Sequence, residues 1–350
     1  MTNKIHSLLI LLHCQGLGRA TIRKLLDQFG SPEKILEQGW NRQNNLLFDK
    51  WQITHNWEID FEMAEKAGVG LISYCDASFP INLRSLPDSP LLLYVKGKLT
   101  PPAACNLAII GTRNATLYGK QTAEKIAQDI AASGVCVVSG LARGIDTAAH
   151  EGALKGGGTT IAVIGSGLSK IYPQENHSLA EKIGLSGAVI SEFPMEMPPA
   201  KGLFPQRNRI VSGLADGICL IESPLTGGGM ITMEIAQQQK KPLFALPGRV
   251  DWPTFEGNHL LLKHKKAHLI ENGSDLLKYF NITRSVITKN SLLTREEGTL
   301  LALLASEEKS IEELVLLTQL PIMQLNVLLT RLILKKVVKE FPGKIYKKNI

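Results

Sequence analysis

The sequence has few cysteines and no long apolar run. Its five cysteines form no CxxC pair, which argues against a zinc site or a disulfide framework. No run approaches the roughly 18 apolar residues that a membrane span needs. The first residues, MTNKIHSLLILLHCQGLG, also lack the basic region and small-residue cleavage site of a secretory signal. We therefore expect a cytoplasmic protein that binds no membrane, no metal and no cofactor.

The remaining composition is that of a folded protein with a basic excess. Hydrophobic residues make up 44% of the 350 positions, enough for one large α/β domain and one or two small ones. The formal net charge of +7 favours acidic partners. Seven Lys or Arg residues lie between Arg331 and Ile350, against the single acid Glu340. Charge alone does not distinguish a nucleic-acid partner from a solvated helix face and tail.

Residues 1–68 have a helical pattern and form the first predicted domain with its linker. A Gly-Leu-Gly turn at Gly16 and Gly18 separates two apolar helices, the second carrying Ile22, Leu25 and Leu26 at helical spacing. This pattern resembles a helix-hairpin-helix (SAM-like) domain, in which the hairpin can offer backbone amides to a DNA phosphate. A small helical cap without DNA contact fits the same pattern.

Residues 69–282 form the second predicted domain, in which apolar, β-branched runs repeatedly end in small-residue turns. The segments are IIGTRNATLYGK (109–120), VVSGLARGIDTAAH (137–150), IAVIGSGLSKIYP (161–173) and CLIESPLTGGGMITMEIA (219–236). Strands alternating with helices predict a Rossmann-like α/β fold with a mainly parallel sheet and flanking helices. Ligands of such folds bind outside the carboxyl ends of the strands, where these turns leave backbone amides for phosphates. The glycines do not follow G-x-G-x-x-G, so the pattern does not favour a dinucleotide oxidoreductase.

Residues 291–350 form the third predicted domain. Three helical patterns precede VVKEFPGKIYKK, in which two short β-like runs flank Pro342-Gly343. This order is typical of a winged helix. Winged helices bind DNA or dock proteins, and the Leu- and Ile-rich third helix leaves both roles open.

The motifs of the central region together resemble the DNA-processing protein A family, DprA, also called Smf. The matching pieces are YCDASFPINLRSLPDSPLLLYVKG, IIGTRNATLYG, VVSGLARGIDTAAHEGAL, GTTIAVIGSGLSKIYPQENHSL, ISEFP, FPQRNRIVSGLAD and PLFALPG. The resemblance implies a homodimer that binds single-stranded DNA and has no known catalytic step. It also implies a role in natural transformation and recombination, in which the protein protects incoming strands and helps to load RecA past single-strand-binding protein.

The residues expected to contact DNA lie in three of these motifs and in the glycine turn at 227–229. They are Gly111, Thr112, Arg113, Ser139, Gly140, Arg143, Gly144, Phe204, Arg207, Asn208, Arg209, Gly227, Gly228 and Gly229. Arg113 is the first choice, because its guanidinium can fork onto a phosphate that the turn amides hold.

The FPQRNRI motif places two arginines around Asn208 at a helix start. Their side chains diverge, so one of Arg207 and Arg209 can meet DNA while the other pairs with an acid such as Glu192 or Glu222. Phe204 can stack on a base or pack in the core.

Two further polar residues have structural interpretations. Asp146 is placed to cap a helix that begins at Thr147. His150 on that helix is expected to be a packing histidine rather than a catalytic base, and no second His or Cys lies in helical register with it to make a metal pair.

One departure from the family pattern and two alternative functions remain open. The Gly227–Gly229 turn replaces a Ser-Gly-Ser turn that is usual in relatives, so two hydroxyl donors are absent. The segment TGGGMITME resembles the PGGxGTxxE turn of nucleotide phosphoribohydrolases, in which a glutamate, here Glu234, handles a ribose. The second alternative is a winged-helix transcription regulator, which is expected to bind duplex DNA of a specific sequence.

Overall fold

A computed structural model of the chain describes residues 4–39, 52, 56–99, 105–282, 294–305, 307–334 and 337–348. These residues divide into two compact units, 1–285 and 286–350. Each unit has its own hydrophobic core.

Four helices begin the described part of the first unit. They are α1 (Lys4–His13), α2 (Arg19–Phe29), α3 (Pro32–Gly39) and α4 (Asn56–Lys66). Helix α2 buries Ile22, Leu25 and Leu26 on one face, as their spacing predicts. It ends at Gly30, whose φ of 84° lets its amide bond back to Leu26.

These helices share a hydrophobic core with the sheet that follows them. The Tyr94 hydroxyl donates to the Asp60 carboxylate, and the other oxygen of Asp60 accepts from the Met195 amide at 2.7 Å. The helical segment is therefore bonded to the sheet domain, and the predicted boundary near residue 68 stays a prediction.

Within the described residues, nine strands form the sheet of the first unit. They are β1 (Val69–Ser73), β2 (Leu92–Gly97), β3 (Asn106–Gly111), β4 (Cys136–Ser139), β5 (Thr160–Val163), β6 (Ala188–Ser191), β7 (Gly217–Glu222), β8 (Leu243–Ala245) and β9 (His268–Leu269). Their order is β1-β2-β6-β5-β4-β3-β7-β8-β9. The pairs from β6 to β9 are parallel, whereas β1 and β2 pair in the antiparallel sense at one edge. The prediction of an α/β fold with a mainly parallel sheet is confirmed.

Helices cover both faces of this sheet. They are α5 (Ile81–Arg84), α6 (Leu117–Ala131), α7 (Ile145–Lys155), α8 (His177–Ser186), α9 (Leu203–Leu214), α10 (Gly228–Gln238), α11 (Glu256–Lys263) and α12 (Gly273–Tyr279). One core cluster joins α6, α7 and α12 to the sheet, and another joins α5, α9 and α10 to it. Because the central strands are buried on both faces, they consist of continuous apolar runs.

The strand order reverses at β3. The chain runs from β3 through β4 and β5 to β6 on one side, and β7, β8 and β9 follow on the other side. The segments that leave the adjacent strands β3 and β7 therefore diverge. A crevice at the carboxyl ends of these two strands is the expected ligand position in such a sheet.

The second unit contains three helices and a small sheet among its described residues. Its elements are α13 (Arg295–Leu303), β10 (Lys309–Ser310), α14 (Ile311–Thr318), α15 (Ile322–Leu334), β11 (Val338–Phe341) and β12 (Ile345–Lys348). The three strands pair in the antiparallel order β10-β12-β11. Thr294 and Ser310 begin α13 and α14 as capping boxes with Glu297 and Glu313. The three helices and the two final strands follow in the predicted order, with the additional strand β10 before α14. The winged helix stays a prediction, and residues 291–293, 306, 335–336 and 349–350 of the predicted domain lie outside the described residues.

Among the helices described, none is by itself long and apolar enough to cross a membrane. The bent pair Ile311–Thr318 and Ile322–Ile333 passes that test only when the two helices are taken together.

Candidate functional site

An open groove of about 470 Å³ lies at the switch point of the sheet, and we call it the first groove. The segment after β3, the floor after β4, and the first turns of α9 and α10 form its walls. Most of the residues predicted from the sequence line it. These are Gly111, Thr112, Arg113, Gly140, Phe204, Arg207, Asn208, Gly228 and Gly229.

The loop that carries Arg113 is fixed at both ends by Glu222. The Thr112 amide donates to the Glu222 carbonyl at 2.7 Å, and the Thr116 amide and hydroxyl donate to its carboxylate at 3.1 and 2.8 Å. Glu222 is fully buried at the end of β7. A Cβ at Gly119 would overlap this carboxylate, so the first turn of α6 must come close to it. The loop is therefore held in one position before any ligand arrives.

Arg113 projects from this loop as an exposed cation. Its guanidinium carbon lies 4.6 Å from the centre of the Phe204 ring. It forms no salt bridge with the residues that the structure describes. The charge of Arg113 is therefore available to an anion, while the aromatic ring restrains the side chain.

Phe204 is half-buried in the wall of the groove. Its ring packs against Gly165, where an added Cβ would lie only 2.9 Å from the ring. The centres of the Phe204 and Tyr172 rings are 6.0 Å apart. Phe204 therefore packs against its neighbours, as one of its two predicted roles requires, and still contributes aromatic surface to the groove.

Arg207 lies under the groove rather than projecting into it. It is only 4% exposed, and one of its terminal nitrogens donates to the Val163 carbonyl. Burial lowers the pKa of Arg207 to about 10, although the nearby Asp146 carboxylate opposes that shift. Arg207 stays charged at neutral pH and supplies positive potential to the floor.

Asp146 is also buried, and its role differs from the predicted one. Helix α7 begins at Ile145 with Gly144 as its N-cap, so Asp146 does not cap a helix starting at Thr147. Burial raises the pKa of Asp146, whereas the Arg207 charge is the main influence that lowers it. Its carboxylate accepts from the Ala142 amide at 3.4 Å. Asp146 therefore fixes the turn after β4 and partly neutralises the floor.

Arg209 points away from the first groove, which corrects its place among the predicted contacts. Its guanidinium pairs with Glu192 at 2.8 Å and with Asp88 at 3.0 Å, and Arg19 also pairs with Glu192 at 2.8 Å. The predicted pairing of one FPQRNRI arginine with Glu192 is confirmed. These pairs attach α9 to α2, so we take Arg209 out of the contact surface.

Ser139 also leaves the contact surface. It is fully buried, and its hydroxyl donates to the Ile109 carbonyl at 2.6 Å, joining β4 to β3. Gly227 forms the N-cap of α10 just outside the groove lining, with φ −74° and ψ 153°.

Arg143 and Gly144 line a second open groove of about 640 Å³, which lies between α6 and α7. We call it the second groove. Arg143 pairs with Glu175, and the distance between its terminal nitrogen and the carboxylate is 2.9 Å. This pairing raises the pKa of Arg143 and lowers that of Glu175. Arg113 lines both grooves.

Lys201 and Asn114 also line the first groove, although neither is among the predicted contacts. Lys201 is exposed in the turn just before α9. Its position three residues before Phe204 in KGLFPQRNRI is a signal that could have found it.

His150 and Glu234 do not form a catalytic site in the first groove. His150 is fully buried, and its Nδ1 lies 2.7 Å from the Thr160 hydroxyl. Burial, with help from the Arg207 charge, lowers its pKa to about 3, so it is neutral and its predicted packing role is confirmed. Glu234 is exposed on α10 and is not part of the groove lining. The described residues contain no group of three His, Cys, Asp or Glu side chains suited to a metal ion.

Comparison with known proteins gives one family. Residues 70–281 match the family described as DNA recombination-mediator protein A. Protein Smf of Escherichia coli is 39% identical over 201 residues, which are 57% of this chain and 54% of that protein. The match thus spans about half the length of that relative.

Two of the solved structures that resemble the chain are of DNA processing protein A. The X-ray structure of DNA processing protein A from Streptococcus pneumoniae has a TM-score of 0.67 and 31% identity, covering 79% of this chain and 98% of that one. A structure of DNA processing protein A from Helicobacter pylori, described by its single-stranded DNA binding mode, has a TM-score of 0.54 and 33% identity. It covers 61% of this chain and 95% of that one.

Proposed function

Because the chain belongs to the DNA recombination-mediator protein A (DprA/Smf) family, we propose that it binds single-stranded DNA in the first groove. The observation that carries the proposal is Arg113, an exposed cation on a fixed loop that forms no salt bridge within the described part of the chain. A phosphate beside Arg113 would also meet the amides of the Gly111–Thr112 turn. A base next to that phosphate would meet the Phe204 ring, and stacking of this kind is indifferent to base identity.

The other walls of the first groove support the same ligand. Helix α10 directs the amides of Gly228 and Gly229 into the groove, and a helix N-terminus favours an anion. Lys201 adds an exposed positive charge, and Asn208 adds an amide that can donate to a phosphate or a base.

We extend the proposal to recombination. The bound strand would be protected and then transferred to RecA in the presence of single-strand-binding protein, with the protein acting as a homodimer in the cytoplasm. The family description as a recombination mediator supports this role, and the Helicobacter pylori relative supports the ligand. The proposal contains no catalytic step. The phosphoribohydrolase alternative is not favoured, since Glu234 lies outside the groove lining.

The first test is binding of mixed-sequence oligonucleotides at several salt concentrations. We expect tight binding of single strands, weaker binding of duplex, and an affinity that falls steeply with salt through counterion release. Equal affinity for duplex and single strands, or no dependence on salt, would overturn the proposal.

The second test measures RecA filament formation on strands that single-strand-binding protein already covers. We expect this protein to shorten the lag before RecA assembles, and an Arg113→Ala variant to lose that effect. An unchanged lag with the unaltered protein would contradict the mediator role but not DNA binding.

A further inference from the structure

The second groove begins where the first one ends. Arg113 belongs to both, and from there the second groove runs down the channel between α6 and α7. Its wall on α6 is formed by Leu117, Lys120, Gln121 and Glu124, and its wall on α7 by Thr147, Ala148 and Glu151. These positions are three or four residues apart on each helix, so they follow one another down the channel.

Charge along this channel changes sign. Arg113, Lys120 and Arg143 lie at the upper end, next to the carboxyl edge of the sheet. Glu175 lies there too, paired with Arg143. Glu124 and Glu151 lie a turn further down, where Glu124 pairs with Lys155. The upper end thus has three cations against one acid and the lower end two acids against one cation, so a polyanion that leaves the first groove is attracted to the upper end.

The upper end also has features that suit a nucleotide. Leu117 is 71% exposed, an apolar surface that a sugar or base can cover. Lys120 is exposed and forms no salt bridge with any described residue. Arg143 has a partner in Glu175, but both side chains are more than half exposed, and an exposed ion pair contributes little to stability. Arg143 can therefore exchange that carboxylate for a phosphate at little cost.

We propose that the second groove extends the strand-binding path by about one or two nucleotides past Arg113. Lys120 and Arg143 contact the added phosphates, and Leu117 contacts an added base or sugar. Lys120 lies about 4.5 Å beyond Leu117 along α6, and Glu124 follows about one turn later, so the attractive part of the groove is short. The inference rests on the proposed function, since it needs a strand already bound in the first groove.

The test is a series of oligo-dT strands of increasing length, measured with the full chain at one salt concentration. Affinity is expected to rise until the strand fills both grooves. Lys120→Ala should reduce the affinity of long strands about three- to tenfold, because they lose one phosphate contact. The affinity of the shortest strands that bind should not change, because they do not reach Lys120.

Lys125→Ala is the matched control. Lys125 lies on the same helix, is 67% exposed and pairs with Asp129 at 3.1 Å, outside both grooves. The substitution removes the same charge from α6 and should leave the affinity for strands of every length unchanged. Glu175→Gln should have the opposite effect. It removes the carboxylate that pairs with Arg143 and should strengthen binding of long strands about two- to fivefold.

Three outcomes overturn the extension. Lys120→Ala could match Lys125→Ala at all lengths, it could weaken short and long strands equally, or Glu175→Gln could fail to strengthen long strands. If the unaltered protein binds long strands but shows no gain beyond the first groove, the extension is wrong and the proposed function stands. If it binds no length, the proposed function fails as well.

Discussion

Replacing Arg113 with alanine tests the assignment of the first groove most directly. The side chain is exposed and forms no salt bridge within the described part of the chain, so its removal leaves no buried charge behind. Its contact with Phe204 is a cation–π interaction at an exposed site, worth about 0.5–1 kcal/mol. The free energy of unfolding should therefore fall by less than about 1 kcal/mol. Binding should change much more.

The binding loss follows from one charge-assisted contact to a phosphate. Such hydrogen bonds contribute about 1.5–3 kcal/mol, which corresponds to a loss of roughly ten- to 150-fold in affinity. The slope of log affinity against log salt should fall by about 0.7, the value for one phosphate on a single strand. Arg113→Lys should keep that slope and still lose affinity, because an ammonium cannot form the bidentate fork.

Fluorescence anisotropy with a labelled mixed-sequence strand measures both quantities. The matched control is Arg249→Ala, since Arg249 lies 5.2 Å from the centre of the Trp252 ring but pairs with Asp251 at 2.7 Å. It changes the net charge equally and should leave affinity within about twofold, as expected for a cation outside the binding surface. An Arg113→Ala variant that binds as tightly as the control, with an unchanged salt slope, would refute the site assignment.

Three other predictions concern stability. Asn258→Ala should lower the free energy of unfolding by about 3–4 kcal/mol in urea, because this fully buried amide bonds to three backbone carbonyls and one backbone amide at 3.0–3.1 Å. A loss under about 1 kcal/mol would contradict that role. The pKa of His150 is lowered to about 3 from an ordinary 6.5, so the folded state resists protonation of its imidazole. The stability that depends on the neutral imidazole is therefore fully present above pH 6.5 and is lost as pH falls towards 3, because the unfolded state takes up the proton first. Between pH 7 and pH 5 the unaltered protein should lose about 2 kcal/mol more stability than His150→Gln, and equal losses would contradict the assignment. Gly227→Ser should destabilise the protein because its Cβ would overlap the Ser223 hydroxyl, and it should do so less in a Ser223→Ala background. Additive effects of the two substitutions on the unfolding midpoint would show that the two sites are independent.

Much of the fold and of the groove lining could be predicted because the signals are local. A buried parallel strand needs a continuous apolar run, and the run must end where the chain turns. The carboxyl ends of parallel strands lie at one edge, so the turns at Gly111–Arg113 and Gly228–Gly229 had to lie on the same edge once the sheet was parallel. The pairing of β3 with β7 then makes them neighbours. The order of the strands could not be predicted in this way. It depends on which apolar runs pair, and those runs are chemically alike.

The role of the Gly227–Gly229 turn could not be predicted for a different reason. From the sequence, the expected effect of these glycines is only the loss of two hydroxyl donors. The structure shows that Cβ atoms at Gly227 and Gly229 would overlap the Ser223 hydroxyl or lie 2.8 Å from Leu220, whereas Gly228 has open space around it. The glycines are therefore matched to neighbours on β7 and in the turn after it, a dependence that no single segment of sequence displays.

The two arginines of FPQRNRI had a signal that the sequence analysis did not use. Arg207 shares the spacing i, i+3, i+4, i+7 with Ile210, Val211 and Leu214, which are buried on one face of α9. That register predicts a buried Arg207 and directs Arg209 to another face, where Glu192 meets it. A buried arginine in such a stripe must keep hydrogen bonds, and the Arg207 guanidinium donates one to the Val163 carbonyl. The same helix thus supplies a fixed charge beneath the groove and an ion pair to the N-terminal helices, and the exposed contact that we propose to DNA is left to Arg113 on the opposite wall.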